Sequence, residues 1–292
     1  MGGTAGTHPG APPYPATVAV LLAVLSSLTW GTADFLGGLL SRRRAAAAVV
    51  AGSQACGLAA VAAFAVATSA WRAPDGWLPW AIAAGLAGTV GLVSFYAALG
   101  SGTMGVVSSI AALGALIPVV IGIAMGDRPS ELAFAGMGLA VLGAVAASGP
   151  ELQAGAPARP LLLAAIAGVC FGLALFFIER GAQYSAVLTL TGMRGTSVGI
   201  FVLVALALRT TGGLVVRDVP ALAVVGVGDV GANLMFAFAS QRGMLSVTGA
   251  LGSLYPVVTV LLARLILREQ LRPVQQGGVV AALTGVVLVS VA

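Results

Sequence analysis

Charge is scarce in this chain. Only 8% of its 292 residues are Asp, Glu, Lys or Arg, against about 25% in ordinary soluble domains. Histidine is scarcer still, since the one copy is His8, in a Gly/Pro-rich leader. That excludes a histidine-dependent catalytic triad, an HExxH zinc site and a His/Cys metal cluster. The two cysteines, Cys56 and Cys170, fall in separate apolar segments and read as small packing residues that say nothing about redox compartment. The leader, MGGTAGTHPGAPPYP, has no Lys or Arg and so lacks the basic region of a signal peptide. It also misses the myristoylation pattern, with Gly6 where Ser or Thr is required. Residues 1–15 are expected to be disordered and to lie outside the fold.

What the chain has instead is apolar length. Hydrophobic residues make up 59% of it and the mean hydropathy is +1.05, well above the roughly 45–50% apolar content of soluble domains. Stretches of about 20 apolar residues, each enough to cross about 30 Å of hydrocarbon, recur from residue 16 onward. The pattern predicts ten transmembrane helices, near 17–40, 45–69, 77–99, 103–125, 131–149, 160–178, 185–208, 219–239, 244–266 and 275–292. Helices are expected because an open sheet cannot satisfy its backbone in lipid, and a barrel would alternate in strands of about ten residues. The pI near 10.0 is ascribed to basic residues flanking the membrane, and nucleic acid is not an expected partner.

The chain also repeats itself. ALGALIPVV at 112–120 returns as ALGSLYPVV at 250–258, which pairs Pro118 with Pro256. The match extends outward: Gly88-Thr89-Val90-Gly91 answers Gly228-Asp229-Val230-Gly231, Gly52 with Gln54 answers Gly192 with Arg194, and Trp30-Gly31 answers Phe171-Gly172. Five spans therefore repeat as five. An odd number per copy means that the second copy enters the membrane from the opposite side, the inverted-repeat construction that can build a midplane site and open it alternately to each side. The expected organisation is a leader at 1–15, a first five-helix repeat at 16–149, a polar linker at 150–159 and a second repeat at 160–292. The GVGDVG run at 226–231 fits GxGxxG but lies inside an apolar span rather than after a strand. Its glycines read as sites of close helix approach.

These residues resemble the ten-helix EamA branch of the drug/metabolite transporter superfamily. The resemblance rests on Trp30-Gly31, on Pro118 and Pro256, on GDRPS at 126–130 and on LREQL at 267–271, in that order and within the five-plus-five duplication. The family usually has Glu-Arg after the fourth and ninth helices, where this chain has Asp127-Arg128 and Glu269-Gln270, and Phe171 stands in place of a second Trp. The resemblance implies transport, across substrates too varied to carry one over.

Three charges stand inside spans and away from their ends: Asp34, Arg194 and Asp229. A charge at mid-membrane costs about 2.5–3.5 kcal/mol even on lenient scales, so each needs a partner or a hydrated cavity. Their repeat mates are Leu175, Gln54 and Thr89, so the scaffold accepts uncharged residues at these positions. The candidate substrate-binding or coupling residues are Asp34, Arg194, Asp229, Asn233, Trp30, Gln54, Tyr96 and Tyr255. Trp30 with Asp34, and Asp229 with Asn233, are four apart and share helix faces. A structural ion pair between Arg194 and one Asp is the competing reading, with Asp229 the favoured functional acid. Glu179-Arg180, Asp127-Arg128 and Arg268-Glu269 read as anchors at span ends.

The reading is a secondary transporter that moves a small organic metabolite, amino acid or drug-like compound across the plasma membrane, outward, driven by protons or by the substrate's own gradient. The chain has no P-loop, no cofactor or metal is expected, and an enzyme is not. The expected partners are the substrate, the lipid bilayer and protons, and a homodimer is left open. A flippase for a lipid-linked intermediate is the alternative, and a membrane enzyme or sensor reusing the fold is another. Ten spans put both termini on one side. The Arg count, nine in odd-numbered connections against four in even ones, would place that side outside, whereas the resemblance implies cytoplasmic termini and is followed here.

Overall fold

The computed structural model describes residues 16–101, 104–147, 158–209, 212–252, 254–267 and 272–291. His8 and its leader, most of the linker, Ser253, and residues 268–271 with Glu269 and Gln270 lie outside the described residues. Every regular element among the described residues is helical. The α-helices are α1 (Ala16–Ser41), α2 (Ala46–Ala67), α3 (Leu78–Ser101), α4 (Met104–Ala112), α5 (Leu116–Ala124), α6 (Glu131–Ala147), α7 (Ala158–Leu208), α8 (Val219–Ser240), α9 (Leu245–Gly252), α10 (Tyr255–Leu267) and α11 (Pro273–Val291). Among the described residues six helical runs are long and apolar enough to cross a membrane: those of α1, α2, α3, α7 and α8, and Leu245–Ile266 across α9 and α10. A helix of α8's 22 residues is about 33 Å long, enough for about 30 Å of hydrocarbon. Ile110–Ala124, Glu131–Ala147 and Pro273–Val289 are apolar but shorter.

Two features of the sequence break the helices. At 51 residues, α7 would measure about 75 Å if straight, but Ser185 is extended, at φ −162° and ψ 110°. Thr189 then packs on Gly181, which a straight helix would hold about 12 Å away, so the chain doubles back into two arms. The Ser185 hydroxyl accepts the N–H of Leu188 at 3.2 Å and caps the second arm. The other breaks are paired. A 3-10 turn at Leu113–Ala115 separates α4 from α5, and α9 ends at Gly252, before α10 begins at Tyr255. Both fall in the repeated nonapeptide, four residues before Pro118 and Pro256. Proline supplies no N–H there, and its ring clashes with the carbonyl one turn back.

Packing relies on small residues, and large aliphatic side chains such as Leu142, Leu203, Leu206 and Leu265 face outward. That suits a lipid surround, where association comes from close backbone approach rather than from burying Leu. α6 and α11 illustrate it. A methyl on Gly143 would strike the backbone of Ala282, one on Gly278 that of Ala147, and one on Gly285 that of Ala140. Residue numbers rise along α6 as they fall along α11, so these two repeat-equivalent helices run antiparallel. α5 and α9 do the same, with Pro118 against Gly249 and Gly122 against Ser246. Matching glycines make matching contacts elsewhere, Gly31 on the Tyr255 carbonyl answering Gly172 on Ile117, and Gly226 packs on the Ser53 backbone. The expected role of the glycines in GVGDVG is met at Gly226.

Connections also touch in a consistent pattern. Arg44, after α1, pairs with Asp218, before α8, at 3.0 Å. Tyr184, beside the α7 break, packs on Gly76, between α2 and α3.

Candidate functional site

Asp229 stands halfway along α8, and helices from both repeats converge on it. Its Oδ1 accepts the indole N–H of Trp30 at 3.1 Å and the side-chain amide of Asn233 at 3.1 Å. Its Oδ2 accepts from Nε2 of Gln54 at 3.3 Å and lies 2.9 Å from Nη2 of Arg194. Nη2 is off the line of a hydrogen bond, so charge rather than alignment holds that pair. Arg194 gives its aligned hydrogen bond to Oε1 of Gln54 through Nη1 at 2.5 Å. Arg194 is only 1% exposed, and its ion pair with Asp229 is the structural pairing weighed from the sequence. Gln54 and Arg194 are repeat mates, so their direct contact puts them where the two copies meet.

Thr89, the mate of Asp229, turns away to Ser197, to which it donates at 2.8 Å. One copy thus carries a carboxylate network where the other carries a hydroxyl pair.

Asp34 behaves differently. It is buried on α1, one turn beyond Trp30. Among the described residues it has neither a hydrogen-bond nor an ion-pair partner. Asp229, Tyr96 and Tyr255 are near enough to feel its charge. The surplus acid implied by two carboxylates and one guanidinium is therefore Asp34, and Asp229 is the neutralised one.

A cavity of about 80 Å³ lies between the copies, several times what one water needs. Of the eight candidate residues it is lined by Trp30, Asp34, Arg194, Asp229, Asn233 and Tyr255, while Gln54 and Tyr96 stand behind its wall. The rest of its lining is apolar and includes Leu92, Phe171, Leu175 and Ile178. Phe171 and Leu175 escaped selection from the sequence, yet they are the repeat mates of Trp30 and Asp34, and the duplication itself was the signal. Phe95 braces two of the lining rings, edge-on to Phe171 at 5.5 Å and to Tyr255 at 6.2 Å between centroids.

The expected anchors fare unevenly. Glu179 is 8% exposed rather than interfacial, and Gln183 donates to its Oε1 at 2.9 Å. Asp127 accepts the N–H of Ser246 at 2.9 Å and so ties the end of α5 to the first turn of α9, where a carboxylate offsets the exposed helix N–H groups. Among the described residues no group of three His, Cys, Asp or Glu side chains could hold a metal.

The sequence model of the EamA-like transporter family matches twice, over residues 17–149 and 158–291. The chain belongs to that family. EamA-like proteins are transporters, and with its apolar helices the chain is a multi-pass membrane protein built on a two-fold EamA repeat. No curated protein matches it. Among solved structures, one titled only as the crystal structure of a protein is similar at a TM-score of 0.76 and 19% identity, covering 94% of this chain and 97% of that one. At that identity the likeness shows the fold alone.

Proposed function

We propose that this EamA-like protein is a secondary transporter that exports a small organic compound across the cytoplasmic membrane through the cavity between its repeats. The carrying observation is the position of that cavity: both copies line it, and it holds a carboxylate, Asp34, for which no described side chain is a partner. A site shared by two related halves can be exposed to either side when one half rocks against the other.

The architecture offered with it is ten spans in two inverted sets of five, at 16–149 and 160–292. The antiparallel crossings of α6 with α11 and of α5 with α9 support the inversion. Contacts between connections support the count. Arg44 with Asp218 joins two odd-numbered connections, and Gly76 with Tyr184 joins two even-numbered ones, as ten alternating spans require. Both termini are assigned to the cytoplasm. Export is driven by protons or by the gradient of the compound itself.

Uptake and efflux of a labelled metabolite panel in proteoliposomes tests this reading. Movement of at least one compound above protein-free vesicles, saturable and accelerated by an imposed gradient, is expected. A panel spanning amino acids, amines, organic acids and lipid-linked sugars in which nothing moves refutes it, and movement of the lipid-linked sugar alone replaces it with a flippase.

A further inference from the structure

The cavity's charges select among substrates, an inference that rests on the transport reading. Two carboxylates and one guanidinium meet there, so one negative charge is left over. Arg194 and Asp229 answer each other, and Asp229 also holds N–H groups of Trp30, Gln54 and Asn233. The remaining acid, Asp34, is faced by Asp229 from α8, by Tyr96 from α3 and by Tyr255 from α10, with Arg194 of α7 already engaged. α2, α9 and α11 bring no charged side chain among the described residues.

An anionic ligand group would find no open cation. The Nε and Nη2 atoms of Arg194 have no aligned hydrogen-bond acceptor among the described residues, but both are buried, and Arg194 itself is almost fully enclosed. A cationic group, by contrast, would meet a lone carboxylate in a cavity that the aromatic rings of Trp30, Phe171 and Tyr255 also line. Rings attract a substituted ammonium through their faces when water is excluded. The same lining carries aliphatic side chains at Leu92, Leu175 and Ile178.

We infer that the cavity takes organic monocations, a substituted ammonium seated against Asp34 among Trp30, Phe171 and Tyr255 with its apolar body on Leu92, Leu175 and Ile178, in exchange for a proton. A lone carboxylate in the membrane interior needs a countercharge. In the empty site a proton supplies it. When the cation enters, the carboxyl O–H bond breaks, the proton leaves to water and the carboxylate pairs with the ammonium. One proton departs per cation and the charge of the site is the same before and after.

The test uses purified full-length protein in lipid nanodiscs and four probes that share one ring: benzyltrimethylammonium, benzyl alcohol, L-phenylalanine and 3-phenylpropionate. Titration calorimetry in buffers of different ionisation enthalpy measures affinity and counts protons. The expected result is binding of the cation at least tenfold tighter than of the other three, with about one proton released, and loss of that preference in Asp34→Asn but not in Asp34→Glu. Failure of the cation to bind at millimolar concentration, or equal or tighter binding of any other probe, overturns the inference. So does cation binding with no proton released between pH 5 and 9, or an unchanged affinity in Asp34→Asn. Should that variant fail to fold, the ranking of the four probes on the unmodified protein decides. Proteoliposomes that move phenylalanine or phenylpropionate but not the cation would overturn the cation site and leave the transport reading standing. Cation binding with no movement of any compound would do the reverse.

Discussion

Neutralising Asp229 is the sharpest perturbation of the buried network. From the sequence alone, Asp229→Asn is expected to fold, because the mate position holds Thr89. The structure changes that expectation, since Arg194 is enclosed and Asp229 is the one acid within ion-pair reach of it among the described residues. Breaking a buried pair by removing one partner costs about 3–5 kcal/mol, mostly because the survivor is left charged and desolvated. The Asp229 side chain keeps 14% exposure to the cavity, which favours the lower end, about 3 kcal/mol. The reverse change, Arg194→Gln, should cost less, about 1–2 kcal/mol, because Asp229 retains donors from Trp30, Gln54 and Asn233. The double variant Arg194→Gln/Asp229→Asn leaves no stranded charge and should be more stable than Asp229→Asn alone. Reversible unfolding in mixed micelles, titrated with denaturing detergent, measures all four corners of the cycle, and a coupling of about 1–3 kcal/mol is expected. A coupling within 0.5 kcal/mol of zero, or Asp229→Asn as stable as the unmodified protein, would refute the claim that the pair is structural.

Other consequences follow from the same contacts. Gly143→Val places a side chain into the backbone of α11 and should cost about 1–3 kcal/mol or prevent folding, whereas Gly138→Ala, on the open side of the same helix, should stabilise by about 0.5–1 kcal/mol; thermal unfolding of the two separates close approach from glycine's own helix penalty. Ser185→Ala removes the cap of the second arm of α7 and should lower stability by about 1 kcal/mol, read in the same assay. A reporter fused after Ala292 should read cytoplasmic, and a reading from the other side would show that the Arg count is the better guide to orientation.

Much of the architecture was legible because duplication leaves a trace that composition does not blur. The nonapeptide paired the two copies, and the pairing, shifted by two or three residues along the way, carried outward to Gly52 with Gly192 and Trp30 with Phe171. Helix ends were less legible. Ser185 looks like the start of a new span in the sequence, yet the helix runs to it from one side and away from it on the other with one extended residue between, because a capping hydroxyl is enough to turn the chain without a loop. Glu179 is more buried than its place at a span's end suggests, because distance along the chain from that end says little about exposure once helices pack.

The polar site shows what a sequence can and cannot place. It could say that Asp34, Arg194 and Asp229 stand where the other copy has Leu175, Gln54 and Thr89, because that needs only alignment. Which acid Arg194 would choose depends on how α1, α7 and α8 lean together, and small residues such as Gly228, packed on Ala33 of α1, set how closely they approach. Pairing Arg194 with Asp229 leaves Asp34 as the group whose charge the fold does not answer. A scaffold that folds with Leu175 at the matching place has no structural need of an acid at Asp34, and an unanswered acid in a cavity shared by both copies costs stability that only a ligand or a proton offsets. The departure from symmetry, rather than the symmetric scaffold, is therefore where specificity resides.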